Sequence, residues 1–319
     1  MQVVRLTAVA TAFALAVGSA HAQTISIGTS PIGSLNYSLG NALGKVMTDS
    51  GGLRARVVPF GGGQQFLPLI GKKELEMAVP SATDALFAYQ GRGDFTGNPT
   101  ASLRMIGAVF PFTIGWFVNK DAPYQSLSDL KGKKIAVGFT ANSAQHRIYL
   151  ASLAAEGLKE GDFDGVPVPH VVRGVDDFMQ GKVEATTFAA GAGKVAEANT
   201  KVGGIRFLNV TNTPEALARL REVMPTTYIA VLQPAPELAG VVAPTNMLFE
   251  DYLVVTGVQM SDDDAYKIAK ILYEDQDKLA AIAKTWGKYD KAALARDRGV
   301  PFHPGAIKYY QEKGIWPKK

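Results

Sequence analysis

What most constrains the fold of this chain is a regular alternation of short apolar runs with longer stretches of helical periodicity. The runs at 24–28 (TISIG), 56–60 (RVVPF), 76–80 (EMAVP) and 103–109 (LRMIGAV) each give way to glycine or a small polar residue. Between them, positions such as Leu39, Leu43, Val46 and Met47 recur at three- and four-residue spacing, which places them on one helical face. A second series begins after a turn-rich piece at 121–132, with runs at 134–138 (KIAVG), 168–172 (VPHVV), 184–188 (EATTF) and 227–232 (TYIAVL). Strands separated by helices in this way make βαβ units, and therefore predict an α/β fold with a mostly parallel sheet.

Two such series in 319 residues exceed what one small core usually serves, which predicts two lobes. The boundaries fall at 23–112 plus 246–319 for a discontinuous first lobe and 113–245 for the second. After the strand at 246–256 the chain is expected to enter a helix capped at Ser261, with Asp262 to Asp264 at its positive end. No Gly/Ser-rich linker separates the lobes, so they should be closely coupled and open or shut about a short hinge.

The N-terminus reads as an address. Arg5 precedes an apolar run at 6–17, small residues follow, and Ala20-His21-Ala22 has the pattern that signal peptidase accepts. The run is too short for the roughly 20 residues of a membrane span. A leader of 1–22 is therefore expected, cleaved after Ala22, with export to the periplasm. The sequence contains no cysteine, which rules out disulfides, thiolate metal sites and a lipid anchor on the mature chain. A formal charge of +4, or +3 without Arg5, is too small and scattered for a nucleic-acid surface.

The loops after the strands carry the functional signal. The turn from Gly28 to Tyr37 leads straight into a helix. Its first-turn amides, with Ser30, Gly33, Ser34, Asn36 and Tyr37, form a potential anion site. A second opening, with Asn142, Ser143, Ala144 and Gln145, precedes the helix at about 146–157. Ser81 and Thr83 occupy a third strand-to-helix switch, and Gly191 a fourth. Two such helix tips, one from each lobe, are expected to converge on a shared cleft. Arg147 and Arg173 fall near the second-lobe elements expected to border the cleft, where an arginine could pair with a ligand carboxylate; the alternative for each is a solvated helix face. Phe60, Phe110, Phe112, Phe139 and Phe188 stand at strand ends, where they could wall a pocket.

Taken in order, several of these pieces resemble the TAXI-type solute-binding proteins of TRAP transporters. They are Gly28-Thr29 through Gly33 to Tyr37 and Leu39-Gly40, the segment 107–111, SLSDLKGKK at 126–134, and HPGAIKYYQEKG at 303–314. The resemblance implies a type II periplasmic binding fold with two α/β lobes. It also implies a small carboxylate-bearing ligand such as glutamate, another amino acid or a dicarboxylate, and a TRAP membrane permease as partner. Ser34-Leu35-Asn36 and 141–144 depart from that family's usual loops, which leaves the substrate open. A similar protein serving an ABC transporter or a sensor kinase is the alternative reading. A periplasmic enzyme is a remote one, because His146, His170 and His303 are scattered and no G-x-S-x-G or H-E-x-x-H motif occurs. The glycines of 28–33 have P-loop spacing, but Ser34 stands where that loop needs lysine. A monomer with no catalytic residues, metal or cofactor, and no nucleic-acid partner, is expected.

Overall fold

The structure, a computed structural model, describes residues 24–141 and 143–317. The expected leader, Asn142 and the terminal Lys318-Lys319 pair lie outside the described residues.

The first half builds three strand-to-helix units. β1 (Ile25–Thr29) leads to α1 (Leu35–Asp49), β2 (Ala55–Pro59) to α2 (Gly63–Gly71), and β3 (Met77–Ala78) to α3 (Ala82–Gln90). The long strand β4 (Leu103–Asn119) follows. Next come β5 (Lys134–Gly138), α4 (Ser143–Glu156), β6 (Asp164–Val168), α5 (Val171–Met179), β7 (Ala185–Ala189) and α6 (Gly193–Lys201). The chain returns through β8 (Ile205–Phe207), α7 (Pro214–Val223), β9 (Tyr228–Leu232) and the long β10 (Thr245–Gly257). It ends on α8 (Asp262–Glu274), α9 (Gln276–Ile282) and α10 (Pro304–Glu312).

Along the sheet the order is β2-β1-β3-β10-β4-β7-β5-β6, with β8 on β4 and β9 on β10. Pairing is parallel within β2-β1-β3 and within β7-β5-β6, whereas β4 and β10 run antiparallel through the centre. The expected mostly parallel sheet is thus two parallel groups joined by one antiparallel pair that passes through both halves. The 103–109 run is only the start of β4. Pro111, which offers no amide, pairs with Asp251 just where β10 shifts register between Asp251 and Leu253, so the strand continues past it.

The 168–172 run is corrected more fully. β6 stops at Val168, and His170 caps α5 by accepting from Arg173 N at 3.2 Å. Two adjacent valines there begin a helix. Ser261 caps α8 as expected, accepting from Asp264 N at 3.1 Å. The HPG element at 303–305 is another cap: His303 accepts from Gly305 N, and Pro304 opens α10. A Cβ at Gly305 would lie 2.1 Å from Asp262 O, so only glycine fits this crossing of α10 over α8.

One apolar core gathers around Phe117, Tyr149, Phe178 and Phe207, drawing its buried residues from Trp116 to Met247. A second core centres on the opposite half around Leu39, Leu43, Trp286 and Tyr310 and reaches across to Ile148, Ala151, Leu220 and Met224, while a third lies around Phe66 and Leu253. The gap between these masses is where the helix tips meet.

Candidate functional site

α1 to α3 each follow a strand of one parallel group, and α4 and α5 each follow a strand of the other. The starts of all five face the same cleft, which holds about 800 Å³ with its mouth included. Ser30, Pro31, Ser34, Leu35 and Asn36 enter it from the start of α1, Gly63 and Phe66 from α2, and Pro80, Ser81 and Asp84 from α3. Ala144, Gln145 and Ile148 face them from α4, and His170, Val171 and Val172 from α5. Phe112, Ile114, Phe188, Ala189 and Tyr252 complete the wall from the strands.

The first loop is held by its own side chains. Ser34 accepts from Tyr37 N at 3.1 Å, and Ser34 N donates to Pro31 O. Gly33 takes a left-handed φ of 89°, which a glycine adopts without strain. Asn36, only 3% exposed, spends its carboxamide inside the wall. Its oxygen accepts from Ser30 N at 2.5 Å and its amide donates to Val79 O, tying the loop to the strand edge. On α3, Ser81 accepts from Asp84 N at 3.2 Å. Opposite, Phe139 sits in a left-handed conformation just before α4, fully buried against Tyr149. That strained turn directs Ala141 O toward Gln64, whose Nε2 donates to it at 2.9 Å across the gap.

The sequence-derived candidates divide accordingly. Ser30, Ser34, Asn36, Ser81, Ala144 and Gln145 line the cleft, as do Phe112 and Phe188. Gly33 is exposed on the outside of its loop, and Tyr37, half-buried, is not among the lining residues. Thr83 turns inward, its amide donating to Glu250 and its hydroxyl meeting that of Thr226. Ser143 starts α4 but does not line the cleft, and Asn142 lies outside the described residues. Gly191 lines a separate groove with Lys284 and Lys288. Phe110 packs edge-on against Trp286 in the core. Arg173 reaches back along its own helix to Asp177 at 3.1 Å. Arg147, a candidate partner for a ligand carboxylate, is instead 8% exposed and not among the lining residues, and its guanidinium pairs with Asp84 at 2.6 Å and with Asp94.

The starts of α2 and α5 and Tyr252 join the cleft without having been candidates, as does the Asp84 carboxyl beside Ser81. The glycine run at 61–63 and the cap-forming His170 were the available signals. His170 Nδ1 accepts from the Arg173 backbone amide at 3.2 Å, which leaves Nε2 as the ring's free donor position. Among the described residues that line the cleft, Asp84 is the one acidic group, and Arg147 behind it is its basic partner. Burial works against its charge, but Asp84, Asp94 and Glu250 outweigh it and hold the guanidinium firmly protonated. Burial likewise pushes the Asp84 carboxyl up while Arg147 pulls it down. Burial also pushes the Tyr252 phenol up, so it stays neutral. Helix-start amides, hydroxyls and the His170 ring thus face an apolar wall of Phe112, Ile114, Ile148 and Phe188, an arrangement suited to a small molecule with one anionic end.

The architecture and its cleft are those of the type II periplasmic-binding-protein fold, with two α/β lobes. The chain belongs to the NMT1-like family, whose model matches residues 27–314. Among solved structures it resembles PhnD1 from Prochlorococcus marinus, in complex with methylphosphonate, at 11% identity and a TM-score of 0.57, covering 92% of this chain and 98% of that one. It also resembles a binding protein component of an ABC phosphonate transporter from Pseudomonas aeruginosa, at 10% identity and a TM-score of 0.56, covering 86% and 83%. The likeness to the aliphatic sulphonate binding protein SsuA from Escherichia coli covers 92% and 84% at 18% identity and a TM-score of 0.47. The family match corrects the TAXI-type TRAP resemblance: the motifs that suggested it are shared features of loops and caps, and the family is the NMT1-like one.

Proposed function

We propose that this protein is an exported solute-binding component that closes on a small organic anion of the phosphonate or sulfonate class and presents it to an ABC-type membrane transporter. The observation that carries the reading is the convergence of five helix starts, from both halves, on one largely apolar cleft. An anionic head group lies between the first turns of α1, α3 and α4, where amides and the Ser30, Ser34 and Ser81 hydroxyls replace its water. The organic substituent packs on Phe112, Ile148 and Phe188. The names of the phosphonate-binding neighbours support this choice of ligand and transporter.

The lobes are 23–112 with 246–319, and 113–245, and they hinge where β4 and β10 cross between them. Ligand that touches both lobes stabilises the closed form by its differential affinity, which creates the surface a permease reads. Binding, with no bond made or broken, is the whole activity.

The test is calorimetric titration of ligand-stripped protein with methylphosphonate, ethylphosphonate, methanesulfonate and ethanesulfonate, with glutamate and succinate as carboxylate arms. Saturable micromolar binding, about −8 kcal/mol, is expected for at least one phosphonate or sulfonate. Binding confined to the carboxylates, or to none of the six, would overturn the reading.

A further inference from the structure

We propose that Arg147 is an interlobe latch, a positioning residue that sets cleft affinity without touching the ligand. The inference rests on reading the gap as a cleft that closes. Arg147 lies one turn into α4, on the half that contributes Ala144 and Gln145 to the cleft. Its guanidinium crosses to the other half, where Nη1 donates to Asp84 at 2.6 Å and Nη2 donates to Asp94. The same guanidinium lies 5.0 Å from the ring centroid of Phe87 on α3. Opening the cleft would draw it off all three partners at once. The Arg147 and Asp84 side chains are 9% and 6% exposed, so the pair is shielded from water in the closed form, while Asp94 at 38% marks the rim.

Beside it, Gln64 meets Ala141 O, the Thr83 and Thr226 hydroxyls lie 2.6 Å apart, and Thr226 donates on to Glu250 at 2.9 Å, all across the halves. None of these brings a cation to Asp84. Arg147 therefore has a second consequence at the site. Asp84 lines the cleft, and a carboxylate in that wall repels an anion unless a cation neutralises it. A Cβ on Gly63 would lie 2.7 Å from Asp84 Oδ2, so the carboxyl rests directly against the start of α2. Latching and neutralisation are thus performed by one side chain.

The absence of native cysteine permits a labelled pair at exposed positions of the two halves, Asn98→Cys and Lys159→Cys, whose separation is read by electron-spin distance measurement in the full mature chain. Without any ligand, Arg147→Met should shift the distribution to longer distances, with Arg147→Lys intermediate. Methylphosphonate affinity should fall at least about tenfold in Arg147→Met. Adding Asp84→Asn should restore part of that affinity while the ligand-free distances stay long. Identical ligand-free distributions in the parent and Arg147→Met would overturn the latch. If Arg147→Met does not fold, Asp94→Asn at the rim is expected to lengthen the same distance, and no change there overturns it equally. Because the distance is read without ligand, it separates failure of the latch from failure of the phosphonate or sulfonate assignment.

Discussion

Glu250 stands fully buried in β10, and replacing it with glutamine should remove a large part of the pH dependence of stability. One carboxylate oxygen accepts from Thr83 N at 2.7 Å and from the Thr226 hydroxyl at 2.9 Å. Since Thr226 spends its single proton there, the Thr83 hydroxyl must donate to Thr226. The other oxygen, Oε2, has no partner among the described residues, so a bound proton belongs on it. Burial, with the Asp84 charge adding to it, pushes the group up from 4.5 to about 7 against the lowering effect of the Thr83 and Thr226 hydrogen bonds. The folded state therefore holds this proton more tightly than the unfolded chain. Its contribution is fully present below pH 4.5 and is lost as pH rises through about 7. At about 1.4 kcal/mol per pH unit, the gap amounts to roughly 3 kcal/mol.

Glutamine keeps the accepting oxygen and places an uncharged amide where the unpaired oxygen was. Urea unfolding at pH 5 and pH 8 should show Glu250→Gln close to the parent at pH 5 and about 3 kcal/mol more stable relative to it at pH 8. Equal pH slopes in the two proteins, or a variant that is weaker at both values by the same amount, would refute the reasoning.

Ser30→Ala and Gln145→Ala should each weaken methylphosphonate binding several-fold by calorimetry, about 1 kcal/mol, whereas Tyr37→Ala should leave it within twofold because Tyr37 does not line the cleft. Asp251 is 3% exposed and receives the Arg298 Nε at 2.7 Å, so Asp251→Ala should destabilise the fold by about 3 kcal/mol, read as a lower midpoint in urea.

The strand-to-helix units and the loops that open onto the cleft were legible because each rests on local chemistry: a strand run, a glycine or serine, then helical spacing. Ser34 and Ser81 declare themselves as caps in sequence, and both structurally cap the helices they precede. The start of α5 was misread because Val171 and Val172 suit a strand, and only His170 capping toward Arg173 N marks a helix. By sequence Tyr37 belongs to the anion site, yet it is half-buried and not among the residues that line the cleft. The burial of Arg147 was illegible for a different reason. Its partners Asp84 and Asp94 lie 63 and 53 residues earlier, and nothing local to α4 marks it as an interlobe contact. The crossing pair β4 and β10 was likewise hidden, since Pro111 interrupts the first strand's pattern without ending it.

Amide hydrogen exchange on ligand-stripped protein, with and without saturating methylphosphonate, tests most directly whether the helix starts hold the anion. Slowed exchange is expected in residues 30–37, 81–85, 143–148 and 170–174, on both sides of the cleft. Protection on one side alone, or confined to the groove around Gly191 and Lys284, would contradict the account.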